Sequence, residues 1–213
     1  MIITISGMPG SGKTSVALFL AKKFRLKYYS VGTIMRSMAR EKGISVTEMN
    51  KRGEKDKKID RQIDDYQIRL GKRVKNAIFD GRLSFHFVPK SVRILLQCDP
   101  ETGAKRIFSQ KRKNENYSTY REAIAYIKKR SASERLRFKR YYKVDINSRK
   151  NFDIVYDTSH NDQWRSANEI LRMVETVRKN KAKNAERRMA SGNSRIMNRT
   201  GIRRISARSG RAK

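Results

Sequence analysis

A glycine-rich loop near the start of the chain carries the clearest chemical signal in the sequence. It reads Gly7-Met8-Pro9-Gly10-Ser11-Gly12-Lys13-Thr14-Ser15, and it fits the pattern G-x-x-x-x-G-K-[ST] without a mismatch. Its glycines let the backbone curl so that consecutive N–H groups point at phosphate oxygens. Lys13 can reach the β- and γ-phosphates, and the Thr14 hydroxyl is suited to hold Mg²⁺. The loop predicts binding of a nucleoside triphosphate and leaves any second substrate open.

A second group of candidate residues follows the third predicted strand. Asp80-Gly81-Arg82 comes directly after the apolar run 77–79, at the carboxyl end where ligands bind in open parallel sheets. Asp80 is suited to the water shell of a metal ion, and Arg82 is suited to the phosphate of an acceptor. The alternative interpretation is an ordinary Asp-Gly turn.

Several arginines are spaced as expected in an enzyme that holds two polyanions together and excludes water. The candidates are Arg36, Arg106, Arg112, Arg130, Arg135 and Arg137. Taken singly, each is more typical of a solvated surface charge. The short, polar and basic run 111–118 between them is typical of a small lid, and their position on either side of it favours the functional interpretation.

One of these arginines, Arg130, has an acidic residue, Glu134, at helical i, i+4 spacing. An arginine and a carboxylate on one helix face are suited to the edge of a base, because the carboxylate can accept from an exocyclic amine such as that of cytosine. A surface ion pair is the alternative interpretation of the same spacing.

The elements that must position these residues alternate along the chain. Five short apolar runs predict strands over residues 2–6, 27–30, 77–79, 92–97 and 153–156. Helical spacing or capping signals predict helices over residues 14–24, 33–42, 59–70, 100–111, 119–142 and 167–179, with a short one starting at Ser45. This alternation predicts an α/β domain with a parallel sheet covered by helices on both faces.

The charge of the chain is its most unusual bulk property. It has 52 Lys and Arg against 20 Asp and Glu, a formal net charge of +32. A field of this sign attracts polyanions, RNA above all, although a basic proteome would also explain it in residues 1–177. From about residue 180 apolar periodicity is lost, so we predict a phosphate-loop domain over 1–179 and a basic tail over 180–213 that is disordered or ordered by a partner.

Other features bear on the cellular setting of the chain. Cys98 is the sole cysteine, which excludes an intrachain disulfide and fits a reducing compartment. No segment has the apolar length of a membrane span, and the N-terminus lacks the basic region of a signal peptide. We therefore expect a cytoplasmic monomer without membrane contact. His86 and His160 are too few and too dispersed for a zinc site or a catalytic triad.

Five stretches of the sequence, taken in order, resemble the short nucleoside monophosphate kinases, and most closely the archaeal-type cytidylate kinases. They read ITISGMPGSGKTSVA, YYSVGTIMRSMA, IFDGRLS, RSASERLRFKRYY and FDIVYDTS. The first is shared by phosphate-loop proteins in general. The ordered combination of DGRLS, SERxR and YDTS is much more specific, and the stretches together run from residue 1 to about 180.

The resemblance implies a P-loop three-layer α/β sandwich with a five-stranded parallel sheet, a small acceptor-binding insert and a lid. It implies phosphoryl transfer from ATP to CMP or dCMP with Mg²⁺. Residues 7–15 would bind ATP, with Thr14 on the metal. The implied acceptor residues are Ser30, Arg36 and Arg82, with Arg130 and Glu134 for its base or phosphate. The implied lid or transition-state residues are Arg106, Arg112, Arg135 and Arg137, acting with Lys13.

The sequence departs from the family pattern in ways that leave the acceptor open. Thr33 stands where an acidic residue usually follows the glycine, Val31 is bulkier than usual, and the basic tail is an addition. Base choice depends on a few buried hydrogen bonds, so an adenylate kinase stays a second hypothesis. A third is an RNA- or ribosome-associated ATPase whose tail, with almost no aromatic residues, binds RNA through phosphates.

Overall fold

Five parallel strands form the centre of the fold. The computed structural model describes residues 1–109 and 117–200, with side chains for all of these except Glu54 and residues 188–200. The strands are β1 (Ile2–Gly7), β2 (Lys27–Ser30), β3 (Ala77–Asp80), β4 (Val92–Gln97) and β5 (Ile154–Asp157). They lie in the order β2-β3-β1-β4-β5, and each neighbouring pair is parallel. The predicted five-stranded parallel sheet is confirmed.

The central strands are buried on both faces of the sheet. Every residue from Ile3 to Gly7 in β1 and every residue of β3 is buried. Strands of this kind appear in a sequence as continuous apolar runs, which is why they could be recognised. The register pairs Ser30 with Asp80 and Asp80 with Ile5, so the carboxyl ends of three strands meet at one edge.

Helices connect the strands and cover the sheet. In the described residues they are α1 (Lys13–Phe24), α2 (Val31–Glu41), α3 (Val46–Lys55), α4 (Lys57–Arg73), α5 (Ser84–Phe87), α6 (Pro100–Ser109), α7 (Tyr120–Tyr142) and α8 (Gln163–Thr200). The three helices α2 to α4 form the small insert between β2 and β3. Helix α4 begins two residues before the predicted start at Ile59, because the Asp56 side chain accepts a hydrogen bond from the backbone N–H of Lys58 at 2.8 Å.

Helix α7 begins and ends as the sequence predicts. Thr119 and Glu122 form a complete capping box at its start. Lys143, with φ of 58°, ends it in the left-handed region. The buried face of α7 includes Glu134, Arg137 and Phe138, so charged groups enter the interior from this helix.

Helix α8 is longer than the sequence predicts. The prediction placed its end near Lys179, with a tail from residue 180 that is disordered or ordered by a partner, whereas the structure has helix to Thr200. Loss of apolar periodicity removes packing, not helix propensity, and residues 178–191 contain no Pro or Gly to end a helix. By contacts, the chain divides into Met1–Val174 and Glu175–Lys213, and the proposed division at 179/180 stays a prediction. Residues 201–213 lie outside the described residues.

Two other expectations fall partly outside the part of the chain that the structure describes. Of the lid predicted over 111–118, only Tyr117 and Ser118 are described, and Arg112 is not. Within the described ranges, none of the helices combines the length and the apolar character that crossing a membrane requires.

Candidate active site

A cavity of about 710 Å³ lies at the carboxyl edge of the sheet. Its walls come from the segments that follow β1, β2, β3 and β5, together with α4 and α7. Because β1 is the central strand, the phosphate loop lies between the segment after β2 on one side and the segment after β5 on the other. Two ligands can therefore bind on opposite sides of one phosphate-binding loop.

Most of the predicted site residues meet in this cavity. Those that line it are Pro9, Gly10, Ser11, Gly12, Lys13, Thr14, Ser15, Ser30, Arg36, Asp80, Arg82, Arg106, Arg130, Glu134 and Arg137. Gly7 and Met8 shape the start of the loop behind the lining. Arg135 lies elsewhere, because α7 turns positions 130, 134 and 137 to one face and position 135 away from it. Its guanidinium pairs with Asp145 at 3.0 Å and is about half exposed, which contradicts the predicted catalytic position.

The glycines of the phosphate loop are required by its backbone. Gly7 and Gly10 have φ of 148° and 81°, and a Cβ on either would collide with the carbonyl oxygen of Leu96 or of Gly103. Gly12 is the N-cap of α1 with φ of 79°, and it provides no side-chain cap. The backbone N–H groups of the first turn of α1 are therefore left for an anion, as at other helix N-termini that bind phosphate.

The Lys13 side chain folds back onto the phosphate loop. Its Nζ donates to the carbonyl oxygen of Met8 at 3.0 Å. Burial lowers the pKa of Lys13 to about 8, with Arg82 and Arg130 adding to this effect and Asp80 and Glu134 opposing it. The ammonium group is therefore poorly compensated without a ligand, and a polyphosphate would supply the missing negative charge.

Thr14 and Asp80 meet beside the phosphate loop. The Thr14 hydroxyl donates to Asp80 Oδ2 at 2.8 Å, and the Tyr28 hydroxyl donates to the same oxygen at 3.0 Å. The Asp80 residue is 5% exposed. A hydroxyl and a carboxylate next to phosphate oxygens form the hard-oxygen donor set that Mg²⁺ prefers, so these residues fit the predicted metal.

A buried carboxylate joins two arginines on the acceptor side of the loop. Glu134 Oε2 lies 2.7 Å from Arg82 Nε, and Glu134 Oε1 lies 2.8 Å from Arg130 Nε. Tyr126 accepts a further hydrogen bond from Arg130 at 2.8 Å. Burial alone would raise the pKa of Glu134, but the charges of Arg82, Arg130 and Arg137 outweigh it and lower that pKa to about 2. We call Arg82, Glu134 and Arg130 the arginine clamp.

The clamp decides against one of the two interpretations of the Arg130–Glu134 spacing. Glu134 is only 4% exposed, so the pair is not a surface ion pair. Both carboxylate oxygens face guanidinium groups, which favours a role for Glu134 in holding the arginines, and its role at a base edge stays a prediction. Arg82 Nη2 is buried and has no hydrogen-bond partner among the described residues. A buried donor of this kind is what an anionic ligand would satisfy.

Arg137 lines the cavity, but its guanidinium group is held by residues of the insert. Its Nε lies 3.4 Å from Asp60 Oδ2, and its Nη1 donates to the carbonyl oxygen of Asn50 at 3.2 Å. The Arg137 side chain is 4% exposed. A Cβ on Gly53 would lie 2.7 Å from Arg137 Nη1. Arg137 therefore connects α7 to the helices α3 and α4 of the insert.

Arg106 connects the phosphate loop to the segment after β5. It donates to the carbonyl oxygens of Thr158 at 2.6 Å and Asn161 at 3.2 Å, and to that of Gly10 at 3.4 Å. A guanidinium spread over several carbonyl oxygens is a positioning group. It fixes the loop against residues 158–161, which line the far side of the cavity.

Ser30 and Arg36 line the cavity on the β2 side. The Ser30 hydroxyl caps α2 by accepting from the backbone N–H of Thr33 at 3.2 Å. Arg36 Nη2 donates to Thr33 Oγ1 at 2.9 Å. Thr33, the residue that replaces a carboxylate in the family pattern, thus gives Arg36 a neutral partner. No carboxylate among the described residues pairs with Arg36, so its charge is suited to a phosphate.

Three cavity residues of α4 escaped the sequence analysis. They are Asp60, Asp64 and Gln67. Burial raises the pKa of Asp64 to about 7, with nearby Asp60 and Asp65 adding to the effect and the Tyr142 hydroxyl opposing it. The signal that could have identified these residues is their i, i+4, i+7 spacing around the apolar Ile63, which places polar groups on the inward face of a charged helix.

Comparison with protein families matches residues 2–160 to the cytidylate kinase-like family. The chain belongs to this family. It is 40% identical over 163 residues to a cytidylate kinase of Sulfolobus acidocaldarius, covering 75% of this chain and 86% of that one. It is 33% identical over 164 residues to a cytidylate kinase of Methanococcoides burtonii, covering 77% and 91%.

Solved structures of proteins with low sequence identity share the fold of this chain. A shikimate kinase from Acinetobacter baumannii, solved in complex with shikimate, superposes with a TM-score of 0.54 at 15% identity. It covers 82% of this chain and 93% of its own. At this identity the likeness shows a common phosphate-loop kinase fold, and the acceptor must be argued from the cavity of the cytidylate kinase-like chain itself.

Proposed function

We propose that the chain transfers the γ-phosphoryl group of ATP to CMP or dCMP, giving ADP and the cytidine diphosphate. Family membership and the relatives named cytidylate kinases support the acceptor. The observation that carries the proposal is the buried arginine clamp beside a complete phosphate loop. A nucleotide hydrolase acts on water and needs no second anion site, so the clamp favours a phosphorylated acceptor.

The phosphate loop is the proposed donor site. The open N–H groups at the start of α1 and the Ser11 hydroxyl, which has no partner among the described residues, are suited to phosphate oxygens. Lys13 exchanges the Met8 carbonyl for the β- and γ-phosphates. The base and sugar of ATP then extend toward β5, where Thr158 and Asn161 line the cavity.

Mg²⁺ is the proposed cofactor at the Thr14–Asp80 pair. When bound, it neutralises charge on the β- and γ-phosphates. The Thr14 hydroxyl would be a direct ligand, and the Asp80 carboxylate would hold the surrounding water. Tyr28 keeps its hydrogen bond to Asp80 and fixes the orientation of that carboxylate.

The arginine clamp and Arg36 are the proposed acceptor-phosphate site. Arg82 and Arg130 offset the repulsion between two phosphorylated substrates, and Glu134 fixes the two guanidinium groups in place. An oxygen of the acceptor phosphate attacks the γ-phosphorus while the bond to the β–γ bridging oxygen breaks. No general base is needed, because the acceptor phosphate is already largely ionised at neutral pH.

A panel of acceptors tests the proposed function. With ATP and Mg²⁺, we expect CMP or dCMP to have a kcat/KM at least about 10-fold above those of UMP, AMP and GMP, because a site that hydrogen-bonds one base rejects others. ADP release and chromatographic detection of the diphosphate provide the measurement. A preference for AMP would support the phosphoryl-transfer chemistry but would make the chain an adenylate kinase. ATP hydrolysis that appears only with RNA would contradict the kinase proposal.

An RNA contact through the basic end of the chain is a second proposed function. From Glu175 to Arg187 every side chain of α8 is exposed except that of Val177, which is half-buried. Residues 178–213 hold 13 basic residues and one acidic residue. An exposed helix with positive charge on all sides and no core to cover is suited to a polyphosphate backbone.

Charge removal in the full-length chain tests the RNA contact. Changing Arg178, Lys179, Lys183 and Arg187 to Gln should weaken RNA binding and reduce the slope of log K against log salt by about 3, since each lost phosphate contact contributes about 0.7–0.9. The control changes Lys22, Lys23, Lys90 and Lys105, exposed residues of the folded domain, and removes equal charge. Equal losses in both variants would refute a specific role for the α8 segment. Turnover on CMP should remain near normal in both.

A further inference from the structure

Helix α4 presents a row of polar side chains to the cavity that the phosphate chemistry does not use. Asp60, Asp64 and Gln67 line the cavity at i, i+4, i+7 spacing, with Ile63 among them. The insert that contains α4 lies in the chain between β2 and β3, on the side of the phosphate loop opposite β5. Asp60 already faces Arg137, so Asp64 and Gln67 are the members of the row with capacity for a ligand.

Gln67 offers hydrogen-bond donors to the cavity. Its Oε1 accepts from the Ser84 hydroxyl at 2.6 Å, and both residues are buried, at 3% and 0% exposure. This bond fixes the rotation of the amide, because the carbonyl must face Ser84. The remaining polar group is the amide NH₂, for which no described residue provides an acceptor.

Asp64 offers an acceptor one helical turn away from Gln67. Its Oδ2 accepts from the Tyr142 hydroxyl, which orients the carboxylate. Its Oδ1 takes no hydrogen bond from the described residues. A second donor to Asp64 would favour the ionised form over the neutral form that burial promotes. The α4 face thus presents one acceptor and one donor side by side.

This order of acceptor and donor matches the pairing edge of cytosine. Cytosine places its N4 amine, a donor, next to the N3 acceptor, whereas uracil has the O4 acceptor next to the N3–H donor. We propose that Asp64 accepts from the N4 amine of the acceptor base and that Gln67 donates to N3 or O2. This inference rests on the proposed function and names the residues that select cytosine over uracil.

Uracil in the same position would place an acceptor against an acceptor and a donor against a donor. Its O4 would face the Asp64 carboxylate, and its N3–H would face the Gln67 amine, so buried polar groups would stay unpaired on both sides. Adenine has the same order of donor and acceptor at N6 and N1. The α4 pair therefore distinguishes among pyrimidines, and the size of the cavity must exclude purines.

Substitution of Asp64 provides the test. In the full-length chain, Asp64→Asn should lower the ratio of kcat/KM for CMP to that for UMP by about 10²-fold or more, because the amide can donate to O4 of uracil. Gln67→Met, which removes the donors at similar volume, should lower kcat/KM for CMP by about 10-fold or more and that for UMP less. Asp65→Asn is the matched control, an exposed neighbour outside the cavity lining, and should keep the wild-type ratio.

The ratio separates base reading from a structural role. A variant that only loosens the insert would lose turnover on CMP and UMP together, with an unchanged ratio, and this outcome would overturn the inference. A wild-type enzyme that prefers CMP, combined with an Asp64→Asn variant of unaltered preference, would refute the assignment of Asp64 and leave the proposed function standing. A wild-type enzyme without turnover on CMP would refute the proposed function itself.

Discussion

Lys13→Met is expected to abolish phosphoryl transfer and, at the same time, to make the ligand-free protein more stable. We expect kcat/KM to fall by about 10³-fold or more, since removal of one charge that stabilises the transferring group costs this much in a site closed to water. We expect the free energy of unfolding at pH 7 to rise by about 1–3 kcal/mol. For a domain of this size that corresponds to roughly 3–10 °C in Tm.

The gain in stability follows from the pKa of the buried ammonium group. In the unfolded chain Lys13 has its ordinary pKa of 10.5, and in the folded chain burial lowers the pKa to about 8. Between these values the unfolded state binds more protons, so the stability of the wild type rises with pH. The advantage of Lys13→Met is therefore greatest below pH 8 and disappears toward pH 10.5. A buried charge without its ligand destabilises the fold, as is common at functional sites.

Thermal unfolding across pH, with and without ATP, provides the measurement. ATP should raise the Tm of the wild type and leave that of Lys13→Met nearly unchanged. Lys22→Met is the matched control, an exposed lysine on the same helix α1, and should change neither activity nor stability. A Lys13→Met protein that is inactive but no more stable than the wild type would contradict the buried-charge account of the loop.

The phosphate loop was predictable because its chemistry is local in the chain. Residues 7–14 need no distant partner to be recognised, and the same holds for the apolar strands on either side and for the Asp80-Gly81-Arg82 turn. The i, i+4 spacing of Arg130 and Glu134 also identified a real pair. The partner that gives this pair its meaning, Arg82, is far away in sequence. Only the fold brings it to the carboxylate.

The features that sequence reasoning missed involve long-range contacts or polar groups on charged helices. Arg135 and Arg137 look alike in the sequence, but one faces solvent and the other Asp60, because α7 turns between them. Asp64 and Gln67 lie in a helix so rich in charge that an inward polar face was not apparent. In α8 the loss of apolar spacing was interpreted as loss of helix, although the two have different physical causes.

Glu134→Gln is expected to have the largest effect on stability of any single change in the site. The carboxylate holds Arg82 and Arg130, whose side chains are 13% and 22% exposed, and its removal leaves the two guanidinium groups facing each other without the negative charge between them. Breaking a buried ion pair in this way costs about 3–5 kcal/mol. We also expect kcat/KM for CMP to fall by about 10²-fold or more, because guanidinium groups that separate no longer hold the acceptor phosphate in line.

The pH dependence of this loss has a defined direction. The pKa of Glu134 is about 2 in the folded chain against 4.5 in the unfolded chain. Its contribution to stability is therefore complete above pH 4.5 and is lost as the pH falls toward 2. Wild type and Glu134→Gln should differ fully at pH 7 and converge in acid. Glu48→Gln is the control, because Glu48 forms an exposed i, i+4 pair with Arg52 at 3.0 Å and should cost less than about 1 kcal/mol.

A double variant separates the structural from the functional role of the clamp. Replacing both Arg82 and Glu134 by Met removes one of the two arginine charges that Glu134→Gln leaves without the carboxylate and keeps only that of Arg130, so it should recover part of the stability that Glu134→Gln loses. It should not recover turnover, because the buried donor that awaits the acceptor phosphate is gone. If the double variant regained activity together with stability, the clamp would be only a structural support. Recovery of stability without turnover would show that Arg82 is needed for the acceptor phosphate beyond its structural pairing with Glu134.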